Sequence, residues 1–446
     1  MKKFITTLSN IWKIDDLRVR LINTLLFLLI YRVGSYVVLP GVNANSINAK
    51  AGNEGLIGLL NMFSGGSFAH ASIFALGVMP YISASIVVQL LGIAVPYFAK
   101  LQKEGESGRN KLNQWTRYLT IGITALQAVG YLKSQISAEQ MEILNPFFTI
   151  LNVCVLTAGT MFVMWLGEKI TDKGVGNGIS LIIMVGIISA LPGAFASEFV
   201  VRNAGAGGLV TFVVEIVALI GVVMFTVLIV QGKRKVAVQY AKRIVGNKQY
   251  GGVRQYIPLM VNAAGVMPII FAQALMFIPA YIPQFWPKAA SNPIMISLSD
   301  YRAFGHNLLF AVLIIVFTFF YTAITINPNQ MAEDMKKNGG FIPGIKPGRA
   351  TADFLDGVIS KITLPGSIFL AIVAVFPAVA ALLGVNSNFA RFFGGTSLII
   401  LVGVVLDTLQ QIESHLLMRH YDGLMKTGRI KGRTSIASGG TSQPVI

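Results

Sequence analysis

The chain is short of charge, of acid and of cysteine. Only 12% of its 446 residues are Asp, Glu, Lys or Arg, against about 25% in soluble domains. That shortage excludes a string of ordinary water-soluble domains, although the length alone would suit about three. The single cysteine, Cys154, excludes a disulfide framework within the chain. No Walker sequence occurs, so any energy source must come from a partner. His70, His306, His415 and His420 show no metal-ligand spacing. No set of nucleophile, base and orienting group stands out, which speaks against an enzyme. Acidic residues number 19 against 36 basic ones, a formal net charge of +17.

What the chain has is apolar sequence: 54% hydrophobic residues and a mean hydropathy of +0.66. Ten runs read as membrane spans, at about 21–39, 73–98, 118–132, 147–167, 177–195, 209–230, 258–280, 306–326, 362–383 and 396–414. The third is short and contains Gln127, and the fifth starts in a glycine-rich turn. Residues 71–98 carry no charge and suffice to cross a bilayer, yet they include Pro80, Ser83, Ser85 and Gln89. Polar atoms facing hydrocarbon only raise the free energy, so this run reads as lining something wet, or something that opens. Met1 to Arg20 is charged and amphipathic rather than a cleavable leader, so the first span would act as the insertion signal.

Charge sets the orientation. Of the 36 Lys and Arg, the ten spans put 29 on the side of the N-terminus and six on the other, with Arg32 inside the first span. The positive-inside rule then places both termini in the cytoplasm, which requires an even number of crossings. Two cytoplasmic loops are too long to be mere connectors. Residues 231–257 hold seven basic residues and no acidic one. Partial alternation over Lys235 to Tyr240 and the turn signal Gly246-Asn247 predict a β-hairpin there. Residues 328–360 contain Pro343-Gly344 and Pro347-Gly348, which predict a stiff, non-helical tip. Outside, residues 40–72 are rich in Gly, Ser and Asn, and the polar tail 434–446 reads as flexible.

Two features point elsewhere. Gly174-x-Gly176-x-Gly178 follows a charged turn rather than a strand, so it reads as helix entry and not as a nucleotide loop. Arg32, Glu215 and Asp407 fall within predicted spans, which keeps a secondary solute transporter as the alternative.

Eight blocks in order carry a family resemblance. They are Asn61-Met62-Phe63-Ser64-Gly65-Gly66, Gly77 to Leu91, Lys103 to Arg109, Met164 to Glu168, Gly174 to Ser180, Gln239 to Arg243, Asn338 to Gly344 and Gly394 to Leu398. Together they resemble the SecY protein-translocation channel family, from about residue 20 to 433. The resemblance implies an all-α polytopic membrane protein, ten transmembrane helices in two inverted pseudo-symmetric halves around an hourglass pore. The halves would be 1–195 and 209–433, joined by an external hinge at 196–208. The function implied is a channel in the bacterial inner membrane that passes secretory polypeptides and releases transmembrane segments sideways into the lipid bilayer.

The physical demands on such a channel are general. A charge at the membrane centre costs roughly 2.5–3.5 kcal/mol, and a wet path removes that cost. An apolar constriction can close the idle path by dewetting. By resemblance, the constriction maps to Val78, Ile82, Ile179, Ile183, Ile270 and Ile400. Stiff β-branched side chains without hydrogen-bonding groups suit a gasket, while ordinary interhelical packing is the bland alternative for each. Val78 stands where the family more often has Ile. A plug would lie within 61–71, including Asn61, Phe63, Ser64, Gly65 and Gly66; a flexible external loop is the other reading. Small, weakly helical residues there suit an element that is easily displaced. A lateral gate would run between the second and seventh spans, with Ser83, Ser85, Gln89 and Asn262, or these hydrogen-bond statically. The basic loops would dock the ribosome or the SecA motor ATPase through Arg234, Lys235, Lys242, Arg243, Lys346 and Arg349. Lys346 replaces the family's usual Arg and lacks its planar fork of donors. SecE-type and SecG-type membrane subunits, signal peptides and nascent chains complete the implied partners, and no cofactor is implied.

Overall fold

A computed structural model describes residues 14–42, 55–136, 147–205, 208–240, 243–245, 248–250, 254–285, 292–300 and 302–427. The first half runs α1 (Asp15–Gly34), a short α2 (Gly55–Phe63), α3 (Met79–Ala94), α4 (Pro96–Lys103), α5 (Glu106–Gln135), α6 (Phe147–Lys173) and α7 (Gly178–Asn203). The second runs α8 (Gly208–Val230), β1 (Lys233–Tyr240), β2 (Arg243–Val245), β3 (Lys248–Tyr250), β4 (Arg254–Met260), α9 (Met267–Phe285) and α10 (Pro293–Ser299). It continues with α11 (Phe304–Thr325), α12 (Pro328–Lys337), β5 (Gly340–Phe341), α13 (Arg349–Leu382), α14 (Ser387–Ala390) and α15 (Gly395–Thr427).

Among the described residues, the helices of α6, α7, α8, α11, α13 and α15 are long and apolar enough to cross a membrane, and the bent pair α3–α4 makes a seventh. The chain is therefore a multi-pass membrane protein. The other predicted spans fall on α1, α5 and α9, which are helical but shorter in apolar content.

Several predicted boundaries need correction. The second span is not one rod over 73–98: residues 64–78 are turns, α3 starts at Met79, and the chain bends by 104° between α3 and α4. The cause is local. Val95 precedes Pro96 and is extended at φ −114°, ψ 119°, because a following proline disfavours the helical region. The third span is far longer than expected, reaching from Glu106 to Gln135. The seventh starts late, since β4 continues to Met260 and turns fill 261–266. The hinge predicted over 196–208 is helical as far as Asn203.

Both basic loops fold, and they fold together. β1 pairs antiparallel with β4, from Lys233 opposite Met260 to Gln239 opposite Arg254. At the tip, β2 pairs with β3 and places Val245 opposite Lys248. This is the predicted hairpin; its turn residues Gly246 and Asn247 lie outside the described residues. The sequence did not reveal that β5, from the other loop, joins the free edge of β1, with Gln239 opposite Phe341 and Tyr240 opposite Gly340. Val236, Val238 and Leu259 then share a small core with Met335, Ile342, Leu355 and Ile359 of α12, the tip and α13. Alternation along β1 turns Val236 and Val238 inward and leaves Lys235 and Gln239 outside. The Pro-Gly tip is non-helical, as expected.

Candidate functional site

The main core unites buried side chains of both halves, from Tyr31 and Phe63 through Ile182 and Ile270 to Ile400. Among the described residues, cavities interrupt it. The first, at the end carrying the sheet, holds about 340 Å³ and is lined by Asn177, Ser180, Asn262, Tyr321 and Asp407 among others. The second, at the opposite end, holds about 500 Å³ and is lined by Arg32, Asn61, Gly65, His70, Ser189 and Arg391 among others. Between them lies a space of about 10 Å³, walled by Phe63, Met79, Ile82, Ile183, Ile270, Gln273 and Ile400. Ile270 belongs to both the first cavity and this waist, and Phe63 of the waist follows Met62 of the second cavity. A space of that size takes one water at most.

Four sequence-predicted ring residues, Ile82, Ile183, Ile270 and Ile400, thus meet around one small void, although they come from α3, α7, α9 and α15. Val78 is buried in the same core at the start of α3 but does not line the void. Ile179 stands one turn from Ile183 toward the sheet end, with its Cγ1 against Gly167 of α6. Of the other three wall residues, Phe63 was foreseen in the plug, and Met79 and Gln273 were not foreseen as site residues. Gln273 follows Ile270 by three positions on α9, a spacing that shares one helix face, and that spacing was the available signal.

The segment predicted as a plug fills the side of the waist nearest the larger cavity. Asn61 and Phe63 end α2, and residues 64–69 fold into turns bonded to themselves. The Asn61 side-chain oxygen accepts from the Ala69 amide at 2.9 Å, and the Gly66 amide donates to the Asn61 carbonyl at 2.8 Å. Side chains of α1 and α5 hydrogen-bond to its carbonyls. Arg32 donates to the Gly65 carbonyl at 2.6 Å, the Tyr31 hydroxyl to the Ser64 carbonyl at 3.2 Å and the Tyr131 hydroxyl to the Phe68 carbonyl at 2.8 Å. Gly65 sits at φ +66°, a conformation side chains disfavour. Gly186 of α7 allows the closest approach: a Cβ there would stand 2.6 Å from the Phe63 carbonyl oxygen.

The predicted gate residues divide. Ser83 donates to the Met79 carbonyl at 3.2 Å and Gln89 to the Ser85 hydroxyl at 3.4 Å, both within α3. Asn262 lies in the turn before α9, buried and lining the first cavity, with its side-chain oxygen unpartnered. Of the docking residues, Arg234, Lys235, Lys346 and Arg349 are exposed on the sheet and its tip. Arg243 lies on β2, and Lys242 lies outside the described residues.

The charges that suggested a transporter have structural partners or none in common. Arg32 binds the plug segment and the Tyr36 hydroxyl at 2.7 Å. Glu215 accepts from Arg202 at 2.5 Å, and Arg202 also pairs with Glu198 at 2.8 Å. Arg202 further donates to the Gly384 carbonyl at 2.8 Å, while Glu198 accepts from the Asn386 amide at 3.0 Å. This buried network ties the end of α7, the start of α8 and the turn after α13. The i, i+4 spacing of Glu198 and Arg202 was legible, but Glu215 joins across a helix boundary and Gly384 and Asn386 from far along the chain, which sequence reasoning missed. Asp407 is exposed in the first cavity. The amides of the glycine turn are engaged, Gly176 by Gln411 and Gly178 by Thr171, each at 2.9 Å, which removes the nucleotide-loop reading. No cluster of three metal-ligating groups occurs among the described residues.

Comparison with known proteins agrees with this architecture. The SecY family profile matches residues 72–409. A SecY protein translocase subunit of Streptomyces scabiei is 44% identical over 441 residues, covering 95% of this chain and all of the relative. One from Mycobacterium tuberculosis is 43% identical over 453 residues, covering 96% and 100%. Among solved structures, a protein-conducting channel superposes with a TM-score of 0.66 at 18% identity, covering 93% of this chain and 95% of the other. Sec61 in the canine ribosome–channel complex of the endoplasmic reticulum gives 0.62 at 18% identity with the same coverage. At such identity these structures speak for the fold, and the fold and the relatives agree. The comparisons lend no support to a solute transporter. With the profile covering most of the chain and full-length relatives above 40% identity, this protein belongs to the SecY family of protein translocase subunits.

Proposed function

We propose that this chain is the channel subunit through which secretory polypeptides cross the bacterial inner membrane, and that the void between the two large cavities is its closed gate. The observation that carries the reading is the convergence of Ile82, Ile183, Ile270 and Ile400, from four helices, on a space of about 10 Å³. Apolar walls around so small a void disfavour a continuous water column and so block ions at rest. Ile179 extends the apolar lining on the sheet side, and Val78, one turn before Ile82, extends it on the opposite side. The Asn61–Ala71 segment is the plug: it backs the waist and is tied to α1 and α5 by hydrogen bonds at its carbonyls, which a threading chain can displace. Lateral release runs between α3 and α9, where Ser83, Ser85 and Gln89 keep their hydrogen bonds inside α3 and leave the seam weakly tied.

The sheet end faces the cytoplasm, with both termini, as the positive-inside rule requires. There Arg234, Lys235, Lys346 and Arg349 offer the docking surface for the ribosome or the SecA motor, and Lys242 and Arg243 are assigned to it from the sequence alone. Sec61 and yeast Ssh1 are known in ribosome-bound complexes, and a joint sheet from both basic loops gives this chain a comparable platform. SecE-type and SecG-type subunits complete the assembly. Partner and signal peptide shift a closed-to-open equilibrium rather than supply chemistry. The two halves move about the connection that follows Asn203.

The test is site-specific photocrosslinking from Ile82 and Ile270 to an arrested secretory chain in intact membranes. Both positions are expected to crosslink; failure of both removes the gate assignment.

A further inference from the structure

Gln273 is the polar exception in the waist. It is 4% exposed, and its side-chain nitrogen has no hydrogen-bond partner. It lines the same void as Phe63, Met79, Ile82, Ile183, Ile270 and Ile400, none of which can accept a hydrogen bond through its side chain except weakly through the Met79 sulfur. A buried donor without a partner raises the energy of the state that leaves it so. That state is the closed one. An oxygen acceptor entering the waist would satisfy the donor.

We propose that Gln273 sets the opening threshold of the channel by donating its amide to an oxygen acceptor that enters the waist, either a main-chain carbonyl of the threading polypeptide or a water that accompanies it. The argument is one of differential interaction. A group that is unpartnered when the gate is shut and partnered when it is occupied shifts the balance toward occupancy. Side-chain identity of the cargo is irrelevant, because every residue of an extended chain brings a carbonyl. The amide thus offers a sequence-independent foothold in a ring that otherwise has none, and Ile270, one turn away on the same face, keeps the foothold narrow. The inference rests on the reading of the void as the gate.

The experiment uses the full chain, assembled with its partner subunits, in proteoliposomes and in cells. Gln273→Met keeps the volume and removes the donor; Gln273→Asn keeps an amide. Export of a substrate with a weakened signal sequence is expected to fall about tenfold in Gln273→Met, by more than export of a strong-signal substrate falls, with partial recovery in Gln273→Asn. Assembly is checked by copurification of the partner subunits. Lower ion conductance of the unoccupied channel in Gln273→Met assigns water as the acceptor. An effect confined to polypeptide-loaded channels assigns the main chain. Unchanged or increased export of the weak-signal substrate in an assembled Gln273→Met channel overturns the proposal. Crosslinking from Ile270 to an arrested chain separates the two readings: if Ile270 crosslinks and Gln273→Met is silent, only the role of Gln273 fails, whereas absence of the crosslink removes the gate itself.

Discussion

Arg32 tethers the segment proposed as the plug through a charged hydrogen bond, and its removal should unseal the resting channel. Its guanidinium donates to the Gly65 carbonyl at 2.6 Å and is steadied by the Tyr36 hydroxyl at 2.7 Å. A hydrogen bond from a charged group is worth about 1.5–3 kcal/mol. Losing it makes plug displacement about ten- to a hundredfold more favourable. Arg32→Met removes the donor while keeping an unbranched apolar stem. The assay is ion leak from proteoliposomes holding the idle channel with its partner subunits. Leak is expected to rise at least tenfold. Tyr31→Phe, which removes the longer bond to the Ser64 carbonyl, should raise it less, by about the factor of a neutral hydrogen bond. Gly186→Ala attacks the same element from α7, since the new methyl would overlap the Phe63 carbonyl oxygen and push the segment outward. If Arg32→Met and Gly186→Ala both leak within twofold of the parent protein, the segment is not what seals this channel, and the reasoning fails.

Two further outcomes follow from the packing. Arg202→Met strands the buried carboxylates of Glu198 and Glu215 and should cost about 3–5 kcal/mol, read as a lower unfolding midpoint of the purified complex. Replacing all three residues by apolar ones should recover much of that loss, and equal midpoints for parent and Arg202→Met would refute a structural role for the network. Val238→Asp buries a charge in the small core shared by both basic loops, and should weaken ribosome and motor binding about tenfold or more while leaving the helical content intact. Binding at parental affinity would show that the sheet is not the platform.

Much of the membrane architecture was legible because a span is recognised by local transfer free energy. The long apolar runs appear as helices close to their predicted places, and the β-hairpin at 231–257 followed from alternation and a turn signal. The break at Pro96 was also written in the sequence, as an extended residue before a proline, but an unbroken uncharged run masked it. The partner strand β5 was not legible: two residues pairing across about a hundred positions leave no periodic trace. The same holds for the Gly384 carbonyl that Arg202 meets from far along the chain. At the site, the aliphatic ring came from family resemblance rather than from any pattern, since an Ile in a span is ordinary.

The sequence by itself determined which segments are apolar enough to enter a membrane, that the two long loops are basic, and which family the chain resembles, because hydropathy, charge and motif order act along the chain. Only the tertiary structure decided that four of those isoleucines surround one void with Gln273 among them, and that two separate loops share a single sheet. Those meetings depend on packing between helices and strands remote in sequence, where shape and unpartnered polar atoms, not local composition, select the neighbours.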